Sequence, residues 1–217
     1  MIFRDFLTAL ELPPQSLVNQ RVPKKHLLEN GAPTAADKRI INEGIEEIQW
    51  VAALKPATIG VPAFEDAERQ YLEIAVLTVN YREKSRTVRL RELIHRAIPY
   101  PVVLFGSDAV LSLAELRFAQ NEVGKAVIDG ELLAADPKPM TAQEWSLASQ
   151  PATNLAMLYR GWCDRLRPIV QYVRQVEEIE ELRREAEKEP QMARRVEINL
   201  RIRELTAKTT QRGKTWA

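Results

Sequence analysis

The sequence predicts an α+β fold: a small mixed β-sheet packed by helices, with a charged helical hairpin or coiled-coil-like extension at the carboxy-terminal end. Three observations predict it. Segments of helical periodicity precede and separate segments rich in β-branched residues. The segment "YLEIAVLTVN" is apolar on both faces, as a covered central strand requires. From Trp162 to Lys208 the chain is almost unbroken charge over a sparse apolar stripe, in which Trp162, Leu166, Ile169, Val173, Val176 and Ile179 recur at steps of three and four.

Taken in order, the first ten residues form a short amphipathic helix stopped by Pro13 and Pro14, and "SLVNQRVPKK" follows as extended chain. Thr34 is placed to cap a helix from Ala35 to Leu54, with Ile40, Ile41, Ile45, Ile48, Val51 and Leu54 on one apolar face. Pro56 ends that helix, and "PATIGVPAFEDAERQ" reads as a loop. In the central strand Leu72, Ile74, Val76 and Thr78 alternate against Glu73, Ala75 and Leu77. Ser85 opens a helix through Ile98, with Val88, Leu90, Leu93, Ile94 and Ala97 inward, and Pro99 stops it. "YPVVLFGSD" is a second strand. "AVLSLAELRFA" is a third, although its composition leaves a helix open. "KAVIDGELLAAD" resembles a hairpin turning at Asp129-Gly130. Helices are expected mainly on one face of this sheet.

A polar, proline-bearing connector divides the chain into an α+β domain over residues 1–150 and a helical region over residues 151–217. Within the helical region a first helix runs from Asn154 to Leu166, and Pro168 sits where the long charged helix begins. A proline inside a helix costs about 3 kcal/mol or more, so at Pro190 the chain bends or turns back, and a hairpin is the expected form. Acidic residues concentrate before Pro190 and basic ones after it, a polarity that lets two antiparallel helices pair their charges. Ile169, Val173, Val176, Ile179 and Leu182 then face Val196, Ile198, Ile202 and Leu205, or a partner's helix, and these residues are the expected partner-binding set.

Composition narrows the function classes. With 217 residues, 45% of them hydrophobic and 28% charged, the chain is long enough for one sizeable core and too apolar for a disordered protein. A formal charge of +1 supplies no global field toward nucleic acid or anionic lipid, so such binding would need a local patch. One cysteine, Cys163, excludes an intrachain disulfide and a cysteine-based zinc site. No secretion signal and no membrane span are expected, and a cytoplasmic protein is.

Nothing in the sequence makes a convincing catalytic constellation. There is no GxGxxG, Walker loop or HExxH, and with His26 and His95 as its two histidines the chain has little material for a triad. A metal-dependent nuclease would have to gather Glu43, Glu46, Glu47, Asp66 and Glu73. Glu73 is followed two positions later by Ala75, so a Glu-x-Lys element is missing. No catalytic residue, metal ligand or cofactor is therefore assigned. Nucleic acid would be held by the basic cluster Arg21, Lys24 and Lys25 together with Arg194, Arg195 and Arg201.

The segments "VNQRVPKKHLLEN", "GIEEIQWVAALKPATIGV", "YLEIAVLTV", "LIHRAIPYPVVLF" and "QMARRVEINLRIREL" follow in order the pattern of the prokaryotic family known as domain of unknown function 4391, which the chain resembles over nearly its whole length. The family has no established activity to carry over. The resemblance implies a setting, since its genes are often found near helicases and DNA methyltransferases in phage-defence neighbourhoods. The expected function is thus a non-enzymatic accessory or scaffold subunit of a DNA-processing defence system. Its partner would be a helicase or DNA methyltransferase subunit, with self-association as a further arrangement. The alternatives are a metal-dependent nuclease and a direct nucleic-acid binder.

Overall fold

The structure is a computed structural model in which residues 3–82, 86–118 and 126–213 are described; Ser85, the expected helix start, lies outside them. The chain divides into two compact units, Met1–Leu166 and Arg167–Ala217.

The first unit is a mixed α+β structure around a six-stranded sheet. It opens with α1 (Phe3–Ala9), β1 (Leu17–Arg21), α2 (Lys24–Asn30), α3 (Ala35–Gly44), β2 (Ile45–Leu54) and the single turn α4 (Pro56–Ile59). A two-stranded ribbon, β3 (Phe64–Glu65) with β4 (Gln70–Tyr71), leads to β5 (Ile74–Tyr81). Helix α5 (Thr87–Ala97) connects β5 to β6 (Val102–Gly106). The remaining strands are β7 (Leu111–Leu113), β8 (Leu116–Phe118), β9 (Ala126–Ile128) and β10 (Leu133–Ala135), followed by α6 (Ala142–Trp145) and the start of α7 (Leu155–Lys188). The sheet order is β1-β2-β5-β6-β7-β10, antiparallel throughout except for the parallel pair β5 and β6.

Strand β5 occupies the centre because it can be buried on both sides. Ala75, Leu77 and Val79 join Val102 and Leu104 in one core, with Leu27 of α2, Ile41 of α3 and Leu90, Leu93 and Ile94 of α5, nearly all of it closed to solvent. Period-2 alternation sends Ile74, Val76 and Phe105 to the opposite face. There Phe6 of α1 stacks on Phe105 at 4.8 Å, and Trp145 of α6 meets Phe6 edge-on at 6.1 Å. Helices thus cover both faces of the sheet, where the sequence pattern suggested mainly one. The Tyr159 hydroxyl of α7 donates to the Val102 carbonyl at 2.8 Å and accepts from the Ala114 amide at 2.9 Å, tying the helix to the sheet.

Several elements differ from the sequence expectation. The helix expected over Ala35 to Leu54 stops at Gly44, and Ile45–Leu54 is a strand. Thr34 caps α3 as expected, its side chain accepting from the Asp37 amide at 3.1 Å. Register shifts between Ile45 and Glu47 and between Trp50 and Ala52 break the alternation of β2, so its apolar residues mimic helical spacing. The extended segment ends at Pro23, after which Lys24 begins α2. Val88, expected inward on α5, is 73% exposed, while Leu90, Leu93, Ile94 and Ala97 are buried. Asp129-Gly130 does not close a hairpin: β9 pairs with β8, and β10 crosses to β7. Finally, Pro168 lies inside α7 rather than at a helix start. It lacks the N–H that would reach the Asp164 carbonyl, and α7 runs through it as one helix.

Two glycines test this packing. A Cβ on Gly31 would lie 2.5 Å from the Leu93 carbonyl oxygen and 2.6 Å from the Ala97 Cβ, whereas at Gly60 nothing lies within 4 Å but φ is +72°. Gly31→Ala is expected to lower unfolding free energy by roughly 1–3 kcal/mol through overpacking, and Gly60→Ala by roughly 1 kcal/mol through its left-handed backbone. Urea titration of both variants checks the order, and a Gly31→Ala protein as stable as the parent would contradict the α2–α5 contact.

Candidate functional site

The second unit is a pair of helices, the rest of α7 and α8 (Met192–Gly213). Pro190 stands in the break between them, and the chain reverses there. Glu178 meets Arg201 at 3.3 Å, Glu185 meets Arg194 at 3.3 Å, and Gln175 meets the Thr209 hydroxyl at 3.5 Å, so rising numbers on one helix face falling numbers on the other. Arg194 also reaches Glu189 at 3.3 Å. These pairs are largely exposed and are worth about 0–1 kcal/mol each. They set orientation; the apolar seam holds the helices together.

That seam is narrower than the residues expected to bind a partner. Ile179 and Ala186 on α7 and Ile198, Leu205 and Thr209 on α8 are buried, with Val176, Leu182 and Ile202 half-buried along the same lines. Ile169, nearer the start of the unit, is buried as well. Val173 and Val196 point elsewhere, at 38% and 52% exposure. The expected set therefore contains two populations, one closing the hairpin and one left facing solvent.

Helix α8 presents a second apolar line. With about 3.6 residues per turn, Ala193, Val196, Leu200 and Ala207 fall on the side opposite Ile198, Ile202 and Leu205. Met192, Val196 and Leu200, at 66%, 52% and 53% exposure, form a continuous row at steps of four. The sequence pattern singles out Val196 but not Met192 or Leu200. Their step-of-four spacing is the signal, and it is hidden because the same helix carries a second apolar line two residues out of phase.

The basic residues expected to hold nucleic acid are mostly engaged within the chain. Arg21 lies 3.8 Å from Glu47 and Lys25 lies 3.7 Å from Glu29. Lys24 donates to the Asn42 carbonyl at 3.3 Å and to the Ile45 carbonyl, at the end of α3. Burial, and then the nearby charges of Arg82 and Arg21, hold its pKa below the usual lysine range. Arg194 and Arg201 are in the hairpin pairs above, and Arg195 contacts the Met192 sulfur at 3.0 Å.

The carboxylates a nuclease would need are dispersed. Glu43 pairs with Arg39 and Arg86, Glu47 with Arg21, and Asp66 accepts from the Glu68 and Arg69 amides in a turn. Glu73 is buried against Lys55 at 2.9 Å. Among the described residues no three His, Cys, Asp or Glu side chains gather so as to hold a metal ion.

Three other features have chemical character. Where β5 and β6 end, the Arg91 guanidinium donates to Asp108 and Thr87 and lies 5.7 Å above the Tyr81 ring. Among the described residues, the Tyr81 hydroxyl, Arg91 Nε and Asp108 Oδ1 are buried without a hydrogen-bond partner. His95 is fully buried, its Nε2 3.1 Å from the Ser112 hydroxyl, and burial followed by the Arg91 charge pushes its pKa down to about 3. An open cleft of about 610 Å³ lies between α1 and the sheet, lined by Leu7, Leu12, Leu17 and Val51 with Arg4, Glu11 and two threonines. Arg4, Glu11 and the two threonines supply its polar groups.

The described residues thus form an α+β unit and a helical hairpin, and Met192, Val196 and Leu200 of the hairpin are exposed. The chain belongs to the family described as domain of unknown function 4391, whose model matches residues 10–208. No curated protein and no solved structure matches the chain. Among the described residues no helix is long and apolar enough to cross a membrane.

Two measurements follow from this geometry. Ile179→Asp places a charge inside the hairpin seam and is expected to reduce helicity by circular dichroism, whereas Val196→Asp leaves it unchanged; equal losses would contradict the division into two faces. For His95, the unfolded chain binds a proton at pH values below about 6.5 that the folded chain refuses down to about 3. Folding stability should therefore fall as pH drops through that window, and His95→Gln should flatten the dependence in urea titrations between pH 4 and 7.

Proposed function

We propose that this chain is a non-enzymatic accessory subunit that docks on a larger protein through the outer face of α8. One observation carries the reading: α8 is apolar on two sides, and α7 covers one of them, leaving Met192, Val196 and Leu200 open. Fully burying an aliphatic side chain contributes roughly 1.5–3 kcal/mol. About half of that remains unclaimed at Val196 and Leu200, at 52% and 53% exposure. Together the two supply about 1.5–3 kcal/mol, so micromolar binding, which takes about 8 kcal/mol, requires further contacts from the positions around them.

The partner we propose is a helicase or DNA methyltransferase subunit of a phage-defence system, in the cytoplasm. Support for that assignment comes from the genomic setting the family resemblance implies. Scaffold action accords with the dispersed carboxylates and with basic residues already paired inside the chain. Direct nucleic-acid binding would draw Lys24 away from the carbonyls of Asn42 and Ile45.

Affinity purification from the native host at high salt is expected to retain an identified helicase or methyltransferase with the parent chain. The same partner should be lost with the double variant Val196→Asp, Leu200→Asp. A hairpin that stays helical and still holds its partner after both substitutions would place the interface elsewhere. Release of the partner by salt alone, with the variant binding as the parent does, would favour an electrostatic contact.

A further inference from the structure

We propose that the open cleft between α1 and the sheet is a binding site for short apolar peptides with free termini, about three residues long, the carboxylate held at Arg4 and the ammonium at Glu11. The inference is independent of α8. The cleft measures about 610 Å³, inside the range of roughly 300–1,000 Å³ in which proteins hold small molecules.

Its walls are apolar. Leu7 and Leu12 stand on the side of α1, and Leu17 of β1 and Val51 of β2 lie on the sheet. The floor carries one polar group, Thr78 of β5, which shares the α1 face of the sheet with Ile74 and Val76 and is 9% exposed. Among the described residues its hydroxyl has no hydrogen-bond partner, and it opens into the cleft. A hydroxyl both donates and accepts, and a peptide unit lying across the floor offers the carbonyl and the N–H that match it.

The rim sets the two ends. Arg4 and Glu11 line the cleft and are exposed, and among the described residues neither has an ion pair. Thr8, between them, already donates its hydroxyl to the Arg4 carbonyl at 2.8 Å. The hydrogen bonding of α1 continues to Leu10, whose amide donates to the Phe6 carbonyl at 3.1 Å. Arg4 and Glu11 therefore lie about 10 Å apart along the helix axis, at a rise of about 1.5 Å per residue. An extended chain of three residues spans about 10 Å as well.

Other ligand chemistries answer only part of this arrangement. A single amino acid carries both charges on one carbon, and a fatty acid or an alkyl amine meets one rim charge and lays its tail against the other. Neighbouring charges do not bias the choice. Asp5, the remaining charge of α1, does not line the cleft. Arg21 and Glu47, in the same rows of the sheet as Thr78 and Asn80, lie 3.8 Å from each other.

The test titrates trileucine into the full chain by calorimetry at low salt, beside N-acetyl-trileucine, trileucine amide and leucine. Trileucine is expected to bind, each capped form about fivefold more weakly, which is the upper end for an exposed ion pair, and leucine more weakly still. Glu11→Gln should abolish the penalty for acetylation and keep that for the amide, and Arg4→Gln should do the converse; both residues are exposed, so the fold is not at stake. Thr78→Val should weaken every form, and unaltered binding there would place the site outside the cleft. No binding of trileucine would overturn the proposal, as would capped forms that bind like the free peptide or penalties that survive in both charge variants. Leucine binding as tightly as trileucine would overturn the assignment of two separate ends.

Discussion

A strand that is apolar on both faces has to be covered on both, and β5 imposes that demand on the elements packed against the sheet. Ala75, Leu77 and Val79 require the layer of α2, α3 and α5, while Ile74, Val76 and the neighbouring Phe105 require Phe6, Trp145 and Tyr159 from elements far away in sequence. Close approach follows from the same demand. Gly44 stands where a Cβ would meet Leu90 at 2.7 Å, and Gly106 where one would strike Asp108 and Tyr81. The buried polar groups are fixed by it too: Arg91 and Asp108 neutralise each other where β5 and β6 end, and His95 is held uncharged against Ser112.

The same requirement, that apolar helix surface be hidden from water, is met on one side of α8 and left open on the other. Single exposed aliphatic residues are ordinary. Three in a row on a helix otherwise rich in charge are less so, because helix propensity alone would have allowed polar residues there at no cost. The hairpin's salt bridges do not explain them, since Arg194 and Arg201 reach α7 from the inner edges of α8. The docking proposal therefore rests on that outer surface of α8, where Met192, Val196 and Leu200 are exposed.

Much of the fold was legible in the sequence, and the failures have physical causes. The central strand was plain because Val, Ile and Leu on both faces leave no helical alternative. The switch from α3 to β2 was hidden, because two register irregularities gave a strand the spacing of a helix. The crossing of β10 to β7 was hidden for another reason: Asp129-Gly130 is good turn chemistry, and tertiary pairing rather than the turn decided which strands meet. At the hairpin, Ile179 and Leu205 were recognisable as seam residues. That Val196 and Leu200 belong to a second face could not be read until the inner seam had been placed, since both lines share one helix and one set of amino acids.

The most direct test of a docked α8 face is thiol labelling at a single position on it. Cys163 is buried, so the parent chain gives a low background, and a Val196→Cys variant reports on the face alone. The account predicts rapid labelling in the isolated chain and strong protection in the assembly purified from its native host. Equal labelling in both would contradict it.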